Sequence, residues 1–172
     1  MKRSLSLEEK EKLETIYYSY LNNPLIDRMK DVSMHRGSNC YIHSFLVAKL
    51  AIKRALKKKK ELDLESILIA SILHDYYLYD WRSDRSLLKH HGSRHPSIAV
   101  SNAKRDFDIS DKVANLILSH MWPINFKCFP KTTEARIVCN ADTWIALKEF
   151  LCSKVYKAKR VQKRQSMISE LF

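Results

Sequence analysis

Ile69-Ala-Ser-Ile-Leu-His-Asp75 is an apolar run that ends on an imidazole and a carboxylate in adjacent positions. The apolar spacing around Leu68 and Ile72 predicts that the run is a buried helix. An ionised carboxylate is costly to bury unless it is paired or binds a metal. His74 and Asp75 are therefore candidate ligands of one divalent cation at the end of this helix.

The composition of the chain is typical of a helical globular protein. The 172 residues are 45% hydrophobic and 29% charged, with two glycines and four prolines. So little Gly and Pro argues against a many-turned β-sandwich or barrel and against a Gly-rich phosphate loop. Apolar residues at i, i+3 and i+4 predict an all-α fold, with residues 1–172 forming one domain.

Several classes of protein are disfavoured by the same sequence. No apolar run approaches the roughly 20 residues of a membrane helix, and no secretory signal precedes the first polar segment. The four cysteines have no Cys-x-x-Cys spacing, which favours free thiols in a reducing compartment. The sequence thus predicts a cytoplasmic protein with no membrane partner.

Capping and breaking residues place the helices. The Ser6 and Glu9 pair is a capping box, which predicts a first helix from Leu7 to about Leu21. The mixed aromatic and charged stretch 76–95 predicts a loop over the site. Further helices are predicted over about 38–60, from 64 into the His-Asp pair, over 96–106, from 111 to near 121, from 132 or 133 to about 152, and in the basic tail 153–172.

Three more ionisable residues fall on apolar helix faces. His43 lies one turn before a valine, Asp142 interrupts a stripe of apolar residues at i±3 and i±4, and His120 follows two apolar positions in the last turn of its helix. Each alone could be structural, for example Asp142 as a helix cap or the partner of an arginine. Together they favour a metal site in the bundle interior. Imidazole and carboxylate ligands suit Fe, Mn, Zn, Ni or Co.

The order of these residues resembles the H…HD…D signature of the HD-domain metal-dependent phosphohydrolase superfamily. His43-Ser-Phe-Leu-Val-Ala48 is similar to its H-x-x-x-V-A helix, and Ala70-Ser-Ile-Leu-His-Asp75 to its A-x-L-L-H-D motif. The likeness runs over about 35–150, leaving helix 7–21 and the basic tail as additions. It implies a helical bundle of the HD-domain type, and one divalent transition metal held by His43, His74, Asp75 and Asp142.

A second likeness is to the subset of the superfamily with two metals. His95-Pro-Ser-Ile-Ala99 is similar to its H-P-x-x-G/A motif, and His120 falls where such proteins place another histidine. This implies that Asp75 bridges to a second metal held by His95 and His120. His91 is an alternative to His95 as ligand, although the following proline favours His95.

A more detailed likeness is to a small group of uncharacterised bacterial HD proteins, in segments 74–81, 91–96 and 120–123. Residues 76–78 depart from the better-known members, which often carry a lysine here. The Gly-Tyr-Pro element of cyclic-dinucleotide phosphodiesterases is also absent. The likeness therefore leaves the substrate open.

The resemblance implies a phosphohydrolase that uses metal-activated water on a nucleotide or other small phosphorylated metabolite, with His74 and Asp75 as catalytic groups. The net charge of +12 would attract such anions, and it also leaves a nucleic-acid-binding module as an alternative. A di-iron oxygenase is a further alternative within the superfamily. Candidate substrate-binding residues are His35, Arg36, Lys89, His91, Arg94 and Trp122. The sequence does not predict an oligomeric state.

Overall fold

The computed structural model describes residues 3–34, 38–80 and 85–151, without the side chains of 85–90. In these residues every regular element is helical, and an isolated bridge between Ser33 and Asn39 is the one extended pairing. The predicted all-α fold is confirmed. The helices are α1 Leu7–Leu21, α2 Pro24–Asp27, α3 Cys40–Ala55, α4 Leu64–Leu73, α5 Arg85–Phe107, α6 Asp111–Leu118 and α7 Thr133–Leu151, with a 3-10 turn at Arg28–Lys30 after α2.

Side-chain caps fix the starts of these helices. Ser6 and Glu9 form the predicted capping box at α1, and the Asp63 carboxylate accepts the Ser66 N–H at α4. The Ser110 hydroxyl caps α6 in the same way. Each cap satisfies a backbone N–H that has no partner within its helix, and contributes about 1 kcal/mol.

Helix α4 occupies the centre of the bundle. Eight of its ten residues are buried, and it packs against α1, α3, α5, α6 and α7. A helix covered on all sides is apolar all round rather than amphipathic. Its C-terminal end, which carries His74 and Asp75, therefore lies inside the bundle.

The predicted loop over residues 76–95 is wrong from Arg85 onward. Helix α5 runs from Arg85 to Phe107 and contains Pro96 in its interior. A proline inside a helix removes one hydrogen bond and crowds the carbonyl four residues earlier, so the sequence predicted a helix start there. The structure instead continues the helix through it, which places His91 and His95 one turn apart.

Two predicted helix ends are also corrected. Helix α3 ends at Ala55 rather than near Lys60, because the next residues include a run of four lysines whose like charges repel along a helix. Helix α6 ends at Leu118 rather than near Met121. The predicted helix in the tail 153–172 lies outside the described residues.

The turn after Asp75 is fastened to α5. The side-chain amide of Asn102 donates to the carbonyls of Tyr76 and Tyr77, over 3.1 and 3.2 Å. The next residue, Leu78, has a φ of 56°, a left-handed conformation that is unfavourable for a side chain of this size. The paired hydrogen bonds therefore hold the turn in a fixed place relative to His95, which lies on the same helix as Asn102.

Within the described residues, every helix is too short or too polar to span a lipid bilayer.

Candidate metal centre

Six buried ionisable side chains converge at the C-terminal end of α4. His43 on α3 and His74 are both 0% exposed, and the most exposed member is Asp142 on α7, at 9%. These side chains form three groups, and within each group the potential ligand atoms lie within 4.8 Å of one another. The groups are His43, His74 and Asp75; His74, His120 and Asp142; and Asp75, His95 and His120.

Asp75 stands between two pairs of imidazoles. Its Oδ2 lies 3.3 Å from His74 Nε2 and 3.9 Å from His43 Nε2. Its Oδ1 lies 3.2 Å from His95 Nε2 and 3.7 Å from His120 Nε2. One carboxylate oxygen thus faces each pair, an arrangement suited to a carboxylate that bridges two cations.

Three of the histidines are oriented by the helix that carries them. Nδ1 of His74 lies 2.8 Å from the Ser71 carbonyl, Nδ1 of His95 lies 2.9 Å from the His91 carbonyl, and Nδ1 of His120 lies 2.7 Å from the Ile117 carbonyl. A carbonyl only accepts, so each Nδ1 carries the proton and each neutral ring keeps a lone pair on Nε2. All three free lone pairs point into the cluster.

The shortest contact between side chains of the cluster is between two of these Nε2 atoms. His95 Nε2 and His120 Nε2 are 2.9 Å apart. Since both Nδ1 atoms already donate to carbonyls, neither neutral ring has a proton to share across this gap. Two acceptors at such a distance repel, unless a cation lies close to both.

The environment of His74 also fits a cation at this place. Its Nε2 is buried with no hydrogen-bond partner in the described part of the chain. Carboxylate oxygens of Asp75 and Asp142 lie 3.3 and 3.6 Å away, without hydrogen-bond geometry. A buried polar atom left unsatisfied costs about 1–3 kcal/mol, and a metal ligated by Nε2 removes that cost. The donor set of imidazoles and carboxylates fits a divalent transition metal.

The carboxylates remain ionised in this setting. Burial raises the pKa of the Asp75 carboxyl, but electrostatic attraction to the neighbouring imidazoles of His74 and His95 outweighs burial and holds the pKa well below its usual range. Burial raises the pKa of the Asp142 carboxyl as well, and the adjacent imidazoles of His43 and His74 again reverse the effect. The cluster therefore keeps two negative charges with which to attract a cation.

The histidines of the cluster differ in the direction in which their pKa is shifted. Burial lowers the pKa of His43, but hydrogen bonds to Asp142 and Glu149 outweigh it and raise the pKa to about 9. For His120, burial and then electrostatic repulsion from the neighbouring imidazoles lower the pKa to about 3. His120 is thus neutral at physiological pH, the form in which an imidazole binds metal.

Glu149 is a member of the site that the sequence analysis did not identify. Its carboxylate lies 2.9 Å from His43 Nδ1 and accepts from the Ser38 hydroxyl over 2.6 Å, and the residue is 3% exposed. On the other ring nitrogen, His43 Nε2 faces Asp142 Oδ1 at 3.0 Å. A carboxylate behind a ligating histidine fixes its orientation and raises its basicity. The available signal was the position of Glu149 seven residues after Asp142, on the same buried face of α7.

We expect Glu149 to strengthen metal binding through His43. Glu149→Gln keeps an acceptor for Nδ1 but removes the charge, and Glu149→Ala removes both, so metal affinity should fall by about 10-fold and up to about 100-fold, respectively. Isothermal titration with Mn²⁺ or Co²⁺ measures both changes. Glu134→Gln, half-buried on the same helix, is the matched control, and equal affinities in all variants would contradict the role.

The predicted substrate-binding residues lie at different places. His91 is half-buried, stacks on His95 with ring centroids 4.6 Å apart, and its Nδ1 lies 2.9 Å from the Tyr79 hydroxyl. It lies beside the cluster, whereas His95 is part of it, with Nε2 3.2 Å from Asp75 Oδ1. Arg94 is exposed and Trp122 is half-buried. His35, Arg36 and the side chain of Lys89 lie outside the described residues.

One comparison with known proteins identifies the family of this chain. A family model described as HD domain matches residues 40–147, a span that contains all six side chains of the cluster. No curated protein and no solved structure matches the chain.

Proposed function

Because the chain belongs to the HD domain family, a family of metal-dependent hydrolases, we propose that it cleaves a phosphoester of a nucleotide or another small phosphorylated metabolite. The observation that carries the proposal is the facing pair of Nε2 atoms on His95 and His120, 2.9 Å apart, beside an Asp75 carboxylate oxygen. A pair of acceptors next to a buried carboxylate supports a cation at this place, in addition to one near His43 and His74.

The proposed metal ligands are His43, His74, Asp75, His95, His120 and Asp142. A divalent ion held by them would supply a nucleophilic water of lowered pKa and a counter-charge for phosphoryl oxygens. Asp75 holds one oxygen toward each half of the cluster and so fixes the spacing of the two halves. Its low pKa keeps it an anionic ligand rather than a proton acceptor.

The surrounding residues exclude water and orient the ligands. Helix α4 and the packed aromatic ring of Tyr77, which meets His95 edge-on at 5.4 Å, close the inner side of the cluster. The exposed guanidinium of Arg94, one residue before His95, is a candidate for binding substrate phosphate. His91, which stacks on His95, and Trp122, two residues after His120, are candidates for contact with the rest of the substrate.

The test combines metal analysis with a substrate screen. Purified protein should contain a transition metal and should hydrolyse a generic phosphoester such as bis-p-nitrophenyl phosphate, with activity restored by added metal after chelation. The double variant His74→Ala, Asp75→Ala controls for contaminating phosphatases, and Asp111→Asn, exposed at the start of α6, is a matched control for a lost carboxylate. A protein that binds no metal, or whose activity survives in the double variant, is not this enzyme.

A further inference from the structure

The large exposed hydrophobic side chains are concentrated on one side of the molecule. Among the described residues, all of them except Leu7 belong either to the loop before α7 or to the second half of α7. Phe126 is 80% exposed, and Leu151 is 69% exposed. We call six of these residues the apolar face: Ile124, Phe126, Phe129, Trp144, Leu147 and Leu151.

The loop half of the apolar face is held in place. Ile124 Cγ2 would lie 3.0 Å from a Cβ at Gly92, and Asn125 donates to the Ser93 carbonyl over 3.4 Å. These contacts tie the loop to α5, and the Trp122 ring meets Phe129 edge-on at 5.4 Å. The loop that exposes these apolar side chains is therefore anchored to the rest of the protein.

The helix half continues from the loop half. The Arg136 guanidinium lies 5.9 Å from the centre of the Phe129 ring, and Arg136 Nε donates to the Pro130 carbonyl over 3.2 Å. Along α7, Arg136 is followed on the same side by Trp144, Leu147 and Leu151, at the spacing of a single helical face. Loop and helix thus form one continuous surface.

The charges that border the apolar face are positive. Lys127, Lys131, Arg136 and Lys148 are exposed on it or at its edge, and residues 124–131 contain no acidic residue. On α7 itself, Asp142 and Glu149 are buried, and the remaining acidic residue is half-buried in the first turn.

From this combination we propose that the apolar face docks onto an anionic lipid bilayer, with Ile124, Phe126 and Leu151 inserted among the lipids and the lysines on the headgroups. A second copy would bring like charges together in a symmetric contact. The tail 152–172 is an equally poor partner for this face, because it holds six Lys and Arg against one Glu and would also bring like charges together. Exposed apolar side chains interleaved with cations bind an anionic membrane surface in two ways, by burying apolar area among the lipids and by electrostatic attraction to the headgroups.

The proposal revises the sequence-based prediction of no membrane partner, which rested on the lack of a spanning segment. Surface docking needs no spanning helix. It is also independent of the proposed hydrolysis, since none of the six residues of the apolar face is a proposed ligand. The face nevertheless begins only four residues after His120, so a docked bilayer would lie near the metal centre.

Sedimentation of the full chain with vesicles tests the proposal. Vesicles with about one-third phosphatidylglycerol should bind the protein at low ionic strength and less at high ionic strength, whereas pure phosphatidylcholine should not. Phe126→Ser combined with Leu151→Ser should lower the partition coefficient about tenfold or more. Leu7→Ser, 74% exposed but outside the face, is the matched control and should leave the partition unchanged.

A charge-reversal pair separates this face from general basicity. Lys127→Glu with Lys131→Glu should weaken vesicle binding much more than Lys58→Glu with Lys59→Glu, which change the net charge by the same amount elsewhere. Equal losses in both pairs would overturn the proposal, as would unchanged binding in the serine variant. Sedimentation equilibrium of the free protein provides the other decisive outcome, because a dimer abolished by the serine variant would show that a second copy covers the face. Unfolding temperatures near that of the wild type confirm that the variants are folded.

Discussion

Replacing Asp75 by asparagine will lower the proposed phosphoester hydrolysis by about a thousandfold or more. Asp75 offers one oxygen to His43 and His74 and the other to His95 and His120, so its loss affects both halves of the proposed centre. Metal charge stabilisation contributes several kcal/mol to such reactions, and each 1.36 kcal/mol corresponds to about tenfold in rate. Steady-state hydrolysis of a generic phosphoester, together with the metal content per chain, measures the effect.

The Asp75→Asn variant keeps the shape of the side chain, so its folding is expected to survive better than that of an alanine variant. The metal content should fall together with the rate. Asp111→Asn on the surface should keep both. A variant at Asp75 that retained the full metal content and rate would show that this carboxylate is not a ligand, whatever the rest of the cluster does.

A bound transition metal will raise the unfolding temperature of the chelator-treated protein by about 5–10 °C. Binding to the folded state alone contributes about 2.7 kcal/mol at a concentration a hundredfold above Kd, and each kcal/mol shifts a domain of this size by about 2–4 °C. The physical source is the relief of the His95 and His120 contact and of the unpartnered His74 Nε2. Scanning calorimetry with and without Mn²⁺, Co²⁺ or Zn²⁺ measures the shift.

Two comparisons make this result specific. Ca²⁺ at the same concentration should give a much smaller shift, because it prefers oxygen ligands and the cluster is rich in imidazole. The Asp75→Asn variant should lose most of the shift. If every divalent ion raised the unfolding temperature equally in both proteins, the ions would be binding elsewhere, and the cluster would be a structural network of histidines and acids.

The sequence predicted which buried side chains converge more accurately than it predicted the bounds of the helices that carry them. His43, His120 and Asp142 were identified because a polar residue on an apolar helix face is costly to bury unless it is hydrogen-bonded, paired or bound to a metal. Their convergence in the structure follows from the same reasoning, since apolar faces of neighbouring helices must meet in one core. Helix starts set by a capping side chain, such as Ser6 at α1, could be predicted from the sequence equally well.

The rest depended on information that local pattern does not contain. Pro96 predicted a helix start, and the structure shows it inside α5. Glu149 gave the same buried-face signal as Asp142, but its contact with His43 joins residues far apart in the chain. The apolar face was not predicted either, although Trp144 and Leu147 lie two and five residues after Asp142 and so fall off the buried stripe of α7.

Three of the four histidines take their orientation from a carbonyl three or four residues earlier in the chain. Each of these rings is therefore preset by a short local segment and needs no distant neighbour to choose its tautomer. His43 is the exception, since its Nδ1 depends on α7. The Nε2 atoms of these three rings would face the cluster without α7, and the packing of α7 orients His43 and adds Asp142 to the proposed ligand set. The same property makes these three histidines, each with its own helical turn, transferable to other helical scaffolds in protein design.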